Sequence, residues 1–178
     1  MKFAIDLDNV TFDFIGACSR LLGRDPVNWN GVKLSSMYSI PSKISDKLVF
    51  TASTYWLAKP LPYSITSLKK LSELPGLDIE IEYVTARPTS LQEATLNINR
   101  LYRLPNYKNL TLLGGTRPKI DYILANNFDV VLDDSERVVK GVANKVKFPY
   151  IFTRPWNSNV EWEFRVNGWK EFVERFIQ

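Results

Sequence analysis

The sequence feature that most constrains this chain is an apolar run near residue 1 that ends in two carboxylates. Phe3, Ala4 and Ile5 precede Asp6 and Asp8, which are separated by one leucine. Apolar residues at successive positions are typical of a strand that helices cover on both faces. Side chains at positions i and i+2 of a strand project to the same side, so the two carboxylates are expected to converge. They repel each other unless a cation or a shared proton neutralises them, and a hard divalent cation is the favoured remedy.

Composition excludes several classes of chemistry. The 178 residues are 45% hydrophobic and 13% aromatic, which suits one packed domain over 1–178. The sequence has no histidine, which excludes Ser/His and Cys/His nucleophile systems and His-ligated zinc. Cys18 is the only cysteine, so no internal disulfide can form and a cytoplasmic location is expected. No run approaches the roughly 20 apolar residues that a membrane-spanning helix needs, so no membrane partner is expected.

The distribution of charge indicates which kind of binding partner the protein favours. The net charge of +4 comes from 23 basic and 19 acidic residues that are scattered along the chain. Proteins that bind nucleic acid usually cluster Lys and Arg on one face or in a motif. A small phosphorylated substrate is therefore favoured over nucleic acid, and both nucleic-acid binding and a homodimer stay open.

Hydrophobic periodicity predicts strands that alternate with helices. Such alternation implies parallel pairing with right-handed crossovers, hence an α/β fold with a doubly wound parallel sheet. Besides the first strand, strands are predicted over 78–85, 110–113, 128–132 and 148–152, and helices over about 12–23, 63–74, 90–104, 117–126, 135–143 and 168–177. Ser64 is the predicted N-cap of the second of these helices.

Residues 16–62 are predicted to form a small, mainly helical cap inserted after the first strand. The later part of this stretch is irregular and rich in proline and aromatic residues, with one helix predicted over about 45–57. Three of its aromatic residues are candidates for a substrate pocket: Trp29, Tyr55 and Trp56. Burial in the core of the cap is the ordinary alternative for such residues.

The polar residues that follow the strands are expected to meet at one edge of the sheet. Ligands of doubly wound sheets bind outside the carboxyl ends of the strands, near the point where the strand order reverses. The residues predicted to lie at this edge are Asp6 and Asp8, Thr85 and Arg87, Lys119, and Asp133 and Asp134.

This set of residues suits phosphoryl transfer to an aspartate. Asp6 can act as the covalent nucleophile, and Asp8 can protonate the leaving oxygen and then activate water. Lys119 and the Thr85 hydroxyl can stabilise the phosphoryl oxygens. Mg²⁺ prefers oxygen ligands, and its expected site draws on the two acidic pairs, Asp6 with Asp8 and Asp133 with Asp134.

Four segments in order resemble the motifs of the haloacid dehalogenase (HAD) superfamily of phosphohydrolases. The matching residues are 6–10 (Asp-Leu-Asp-Asn-Val), 84–87 (Val-Thr-Ala-Arg), Lys119, and 131–134 (Val-Leu-Asp-Asp). The resemblance implies a Rossmann-like fold and a magnesium-dependent phosphatase. In it Asp6 is the nucleophile, Asp8 the general acid–base residue, and the Asp133/Asp134 pair the metal site. Thr85 and Lys119, with Ala86 and Arg87 from the same motif, are the implied phosphate contacts.

Within that superfamily the chain resembles the 5'(3')-deoxyribonucleotidase-like group. The resemblance rests on the position of the insertion, on the Thr-Ala-Arg-Pro segment at 85–88 and on the Arg-Pro-Trp-Asn segment at 154–157. It implies a 5'-nucleotidase that acts on (deoxy)nucleoside monophosphates. Asn9 departs from the glycine that is commoner in the first motif.

Alternatives remain open from the sequence alone. The same chemistry could act on a sugar phosphate or a nucleic-acid end, and a non-catalytic module could keep the fold for binding. Arg87 could contact phosphate or anchor its loop through an acidic partner such as Asp134. Arg154 and Trp156 could lie near the active edge or tie down the last helix, and Asp13 is interpreted as structural.

Overall fold

The computed structural model describes residues 1–29 and 33–177, and a parallel sheet forms the centre of this part of the chain. Its strand order is β3-β2-β1-β4-β5-β6, and every neighbouring pair is parallel. The order reverses beside β1, which lies between β2 and β4. The strands are β1 (Lys2–Ile5), β2 (Glu80–Thr85), β3 (Leu110–Leu112), β4 (Val130–Asp133), β5 (Phe148–Phe152) and β6 (Arg165–Val166).

Helices connect the strands and flank the sheet, which confirms the predicted doubly wound α/β fold. Five helices of the described chain lie between β1 and β2: α1 (Phe14–Leu22), α2 (Leu34–Tyr38), α3 (Ser42–Phe50), α4 (Ala52–Leu57) and α5 (Ser64–Ser72). Each later crossover carries at most one α-helix: α6 (Gln92–Leu101), α7 (Thr116–Ala125) and α8 (Glu136–Val142), with α9 (Trp169–Glu174) after β6. Short 3₁₀ turns lie at Thr89–Leu91 and Pro155–Asn157.

Some element predictions differ from the structure. The single helix predicted over about 45–57 is two helices, because Thr51 is extended between α3 and α4. Ser64 is not the N-cap of α5: Tyr63 occupies that position with a left-handed φ of 64°. The strand β6 was absent from the prediction, since two residues are too few to show an alternating pattern.

The core lies on both faces of the sheet. Phe3 and Ile5 belong to one buried cluster, whereas Ala4 packs on the other face with Val84 and Val131. Successive side chains of a strand point to opposite faces, so β1 contributes to both clusters. This arrangement confirms that the first strand is covered on both sides.

Residues 11–13, which follow β1, are hydrogen-bonded to residues 59–61, near the end of the predicted insertion. Asp13 N donates to Lys59 O at 2.8 Å, and Leu61 N donates to Thr11 O at 2.9 Å. The Asp13 carboxylate also caps α1 by accepting from Gly16 N at 2.9 Å, in agreement with its structural interpretation. A Cβ on Gly16 would lie 1.8 Å from Asp13 Oδ2, so this close capping contact requires glycine. The two ends of the stretch between these residues thus lie side by side.

The helices that the structure describes are short. Over residues 1–29 and 33–177, none is both long and apolar enough to cross a membrane.

Candidate active site

The residues predicted from separate strands meet at the carboxyl edge of the sheet. One cavity of about 920 Å³ at this edge is lined by all of the predicted site residues: Asp6, Asp8, Thr85, Ala86, Arg87, Lys119, Asp133 and Asp134. The edge coincides with the reversal of strand order beside β1, where ligands of such sheets bind. The parallel strands bring these residues together across more than a hundred positions of sequence.

At the centre of the site one ammonium group contacts two carboxylates. Lys119 Nζ lies in the first turn of α7 and donates to Asp6 Oδ1 at 2.5 Å. The same nitrogen forms an ion pair with Asp133 Oδ2 at 2.7 Å. Ser135 N donates to the other oxygen, Asp133 Oδ1, at 2.8 Å and orients that carboxylate. All three charged side chains are buried, so each depends on the others for its charge balance.

Full ionisation of this centre would leave negative charge in excess. Burial raises the pKa of Asp6 to about 7; Lys119 opposes this change, and the carboxylates of Asp133 and Asp8 reinforce it. Burial also raises the pKa of Asp134. Burial lowers the pKa of Lys119, but the Asp133 and Asp6 carboxylates outweigh burial and leave it raised. Lysine therefore stays charged, and one ammonium group faces three carboxylates.

Three of these carboxylates could hold a divalent cation. Asp6, Asp133 and Asp134 each offer one oxygen, and these oxygens lie within 4.8 Å of one another. Hard oxygen donors at this separation fit a small divalent cation, and the charge excess gives such a cation a further reason to bind. The Asp8 carboxylate is not part of this group, although the sequence analysis included it among the metal ligands.

Asp8 instead pairs with Arg87. Arg87 Nη2 donates to Asp8 Oδ1 at 2.6 Å, and Nε lies 3.1 Å from Oδ1 and 3.0 Å from Oδ2. Arg87 thus has an acidic partner, as one of the two sequence-based alternatives expected, but the partner is Asp8 and not Asp134. The strand order explains this choice, because β1 lies between β2 and β4.

Thr85 and Ala86 form the wall of the site at the end of β2. Thr85 is buried, and its hydroxyl accepts a hydrogen bond from Arg87 N at 3.3 Å. That bond closes the turn after the strand and leaves Thr85 and Ala86 in the lining of the cavity.

The start of α1 and the insertion form another part of the cavity wall. From α1 come Phe14 and Ile15, and from the described part of the insertion come Lys33, Leu34, Ser35, Met37, Ser42, Ser45, Asp46, Val49 and Tyr55. Of the three aromatic candidates, Tyr55 lines the cavity. Trp29 stacks on Trp156, a lining residue, with ring centroids 6.4 Å apart. Trp56 is exposed and is not among the described residues of the lining.

Arg154 and Asn157 support the loops of the site, and of the two positions left open for Arg154 and Trp156 the structure shows the one near the active edge. Arg154 Nε donates to Asn9 O at 2.5 Å, and Asn157 Nδ2 donates to Asp134 O at 2.8 Å. Asn9 has a left-handed φ of 60°, which asparagine tolerates better than most residues, and its side chain accepts from Ile15 N. The signal for Arg154 and Asn157 was their position directly after the predicted strand 148–152.

Comparisons with known proteins agree with the fold. No protein-family model and no curated protein matches the sequence. Among solved structures, a haloacid dehalogenase-like hydrolase from Streptococcus pneumoniae is similar, with a TM-score of 0.64 and 13% identity over 98% of this chain and 97% of that one. A HAD-superfamily hydrolase of subfamily IA, variant 1, from Geobacter sulfurreducens is similar with a TM-score of 0.58 and 13% identity over 98% of both chains. The chain therefore has the Rossmann-like fold of HAD hydrolases.

Proposed function

We propose that this protein is a magnesium-dependent phosphatase that works through an aspartyl-phosphate on Asp6. The observation that carries the proposal is the contact of Asp6 with Lys119 beside Asp133 and Asp134, at the end of a cavity large enough for a small phosphate ester. The similar solved structures are described as hydrolases of this fold, which supports the same reaction class here.

The proposed reaction has two displacements. An oxygen of the Asp6 carboxylate attacks phosphorus, the bond from phosphorus to the ester oxygen breaks, and that oxygen takes a proton from Asp8. Water then attacks the phosphorus of the aspartyl-phosphate and gives a proton to the Asp8 carboxylate. The bond between phosphorus and Asp6 breaks, which releases inorganic phosphate and restores both aspartates to their starting states.

Charge neutralisation supports both displacements. Lys119 lies 2.5 Å from Asp6 and is placed to offset the negative charge of the phosphoryl oxygens beside that carboxylate. Asp6, Asp133 and Asp134 would hold Mg²⁺, which would supply positive charge to offset the phosphate dianion.

We further propose a nucleoside 5'-monophosphate as the substrate. Ligand pockets of about 300–1,000 Å³ suit small molecules, and the cavity of 920 Å³ has room for a base and a sugar beyond the phosphate. Trp156 in its lining is partly exposed and offers aromatic surface, on which a base can stack. Ser42 and Asp46 in the lining offer polar atoms for sugar hydroxyl groups.

The experiment that tests the proposed function measures phosphate release from a panel of substrates with Mg²⁺ or EDTA. The panel contains 5'- and 3'-nucleotides, their deoxy forms, sugar phosphates and 5'-phosphorylated oligonucleotides, and the parent is compared with Asp6→Asn. Turnover that requires Mg²⁺, favours 5'-nucleotides and disappears in the variant is the expected result. Preference for a sugar phosphate or an oligonucleotide would overturn the nucleotide assignment alone. No release from any substrate by the folded parent would overturn the phosphatase assignment.

A further inference from the structure

Arg87 makes contacts on several sides of its guanidinium group. Nε and Nη2 donate to the Asp8 carboxylate, and Nη1 donates to Thr95 Oγ1 of α6 at 3.2 Å. The guanidinium carbon lies 4.3 Å from the centroid of the Tyr55 ring, which belongs to α4 of the insertion. These contacts hold one orientation of the planar group.

These contacts leave Arg87 poorly placed to bind the phosphoryl group. Its side chain is 0% exposed, whereas the Asp8 side chain is 22% exposed and lines the cavity. An arginine that binds phosphate presents its fork of N–H groups to the ligand. Here that fork is already occupied by Asp8, so a phosphoryl oxygen would have to displace the carboxylate.

Arg87 is the sole hydrogen-bond donor to the Asp8 carboxylate within residues 1–29 and 33–177. The two carboxylate oxygens are used unequally. Oδ1 accepts from both Nε and Nη2, whereas Oδ2 receives only the shared Nε contact at 3.0 Å. Oδ2 thus keeps more free hydrogen-bonding capacity than Oδ1.

We propose that Arg87 is a positioning residue that holds Asp8 for proton transfer, braced by Thr95 and by Tyr55 of the insertion. This inference rests on the proposed phosphatase function and replaces the expected phosphate contact of Arg87 with an action through Asp8. Tyr55 is itself fixed, because its hydroxyl donates to Val49 O at 2.7 Å and its ring stacks on Phe14 with centroids 5.1 Å apart. The insertion therefore helps to set the position of the acid–base residue.

Two model substrates separate the two roles of Arg87. Phenyl phosphate and 4-nitrophenyl phosphate have similar shapes, but the phenolate leaving group needs a proton far more than 4-nitrophenolate does. The value of kcat/KM reports the steps up to the first irreversible one, here the formation of the aspartyl-phosphate. Loss of a positioned acid therefore lowers kcat/KM for phenyl phosphate selectively.

The experiment compares Arg87→Gln and Arg87→Lys with the parent on both substrates and measures inhibition by inorganic phosphate. Arg87→Gln is expected to lower kcat/KM for phenyl phosphate about 10²-fold and for 4-nitrophenyl phosphate less than about fivefold, since general acid catalysis contributes on this scale. The inhibition constant of inorganic phosphate is expected to stay within about threefold of the parent value. Arg87→Lys keeps the charge without the fork, so it should show the same selectivity with a smaller loss.

Further variants keep the test decisive. Arg117→Gln removes an exposed arginine outside the lining of the cavity and is the matched control, with no change expected on either substrate. Thr95→Val removes the hydrogen bond from Arg87 Nη1 and should lower kcat/KM slightly for phenyl phosphate alone. This variant tests the proposal even if Arg87→Gln fails to fold. Equal losses on both substrates, with weaker inhibition by phosphate, would overturn the positioning role alone. An inactive parent would instead overturn the proposed function together with this inference.

Discussion

Asp6 and Asp8 are two residues apart in the sequence, yet the structure places them in different surroundings. Asp6 contacts a lysine and lies beside two further carboxylates in the buried centre of the site. Asp8 contacts an arginine and keeps part of its side chain open to the cavity. The spacing on one strand end brings both to the same edge, but their cationic partners come from different elements.

This difference separates two kinds of chemistry at one strand end. In the proposed reaction, the compact ammonium group beside Asp6 offsets the charge of the metal-binding carboxylates and of the phosphoryl group. The planar guanidinium group beside Asp8 fixes the orientation of the carboxylate that is proposed to exchange a proton. The comparison therefore predicts different results when either aspartate or the lysine is replaced.

The largest effect is expected for Asp6→Asn. Loss of the covalent nucleophile should lower kcat by at least about 10⁴-fold on every substrate of the parent, as in other enzymes that use such a group. Mass spectrometry of acid-quenched reactions should find a phosphoryl group on the parent and none on the variant. A phosphorylated variant would place the nucleophile elsewhere and remove the distinction between the two aspartates.

Asp8→Asn should lower kcat less than Asp6→Asn does, and it should slow a different step. Its kcat is expected to fall about 10²–10⁴-fold, the usual range for a general acid–base residue. With 4-nitrophenyl phosphate, Asp6 should still be phosphorylated, because 4-nitrophenolate leaves without a proton, while hydrolysis of the intermediate slows. Rapid-quench measurements should therefore show a burst of 4-nitrophenolate and accumulation of phosphorylated chain. A variant that forms no intermediate would contradict the assigned order of roles.

Replacing Lys119 with methionine should change stability as well as activity. Removing one partner of a buried ion pair typically costs about 3–5 kcal/mol, since the remaining charges of Asp6 and Asp133 lose their compensation. Mg²⁺ should restore part of this loss, because it supplies positive charge to the same carboxylates. Urea unfolding of the parent and the variant, each with Mg²⁺ and with EDTA, gives both quantities. Equal stability of the two chains in EDTA would show that Lys119 does not balance this centre.

The smallest effect concerns Cys18, which is buried in α1. Burial raises the pKa of its thiol from the ordinary 9.0 to about 12, and the negative charges of Asp8 and Asp13 add to this. A raised thiol pKa keeps the proton on sulfur, so at pH 8 the folded chain should react with an aromatic disulfide reagent far more slowly than the unfolded chain. Asp8→Asn should speed the reaction less than about tenfold, whereas Asp6→Asn should leave it unchanged, because the Asp6 charge is not among those that raise the pKa of this thiol. Fast labelling of the folded parent would contradict the buried placement of Cys18.

The sheet and its polar edge could be predicted because the apolar strand patterns and the polar residues after them are local and recur along the sequence. The ends of β1, β2 and β4 each carry their own polar residues, and the strand prediction over 148–152 matches β5 residue for residue. The break at Thr51 could not be predicted, because the apolar pattern continues through it and the extended conformation depends on packing. The two-residue strand β6 exists only through pairing with β5, which no local pattern encodes.

It was harder to predict which residues of the site pair with each other than to predict which residues belong to the site. Sequence reasoning left Arg87 between a phosphate contact and an acidic partner such as Asp134, and it did not identify Asp8. The choice follows from strand order, a long-range property, since β2 neighbours β1 and not β4. The contact between Arg87 and Tyr55 depends on how the insertion packs over the sheet, which periodicity within either segment does not report.

The hydrogen bonds between residues 11–13 and 59–61 have a consequence for how such a chain can evolve. Because the insertion departs and returns at neighbouring positions, a segment of different length or sequence can replace it without a change in the spacing of β1 and β2. In the proposed function, the parallel sheet supplies the reacting residues, while the exchangeable segment supplies part of the wall of the cavity. A replacement segment would still need a residue that packs on Arg87 as Tyr55 does, so this contact limits which sequences can be exchanged.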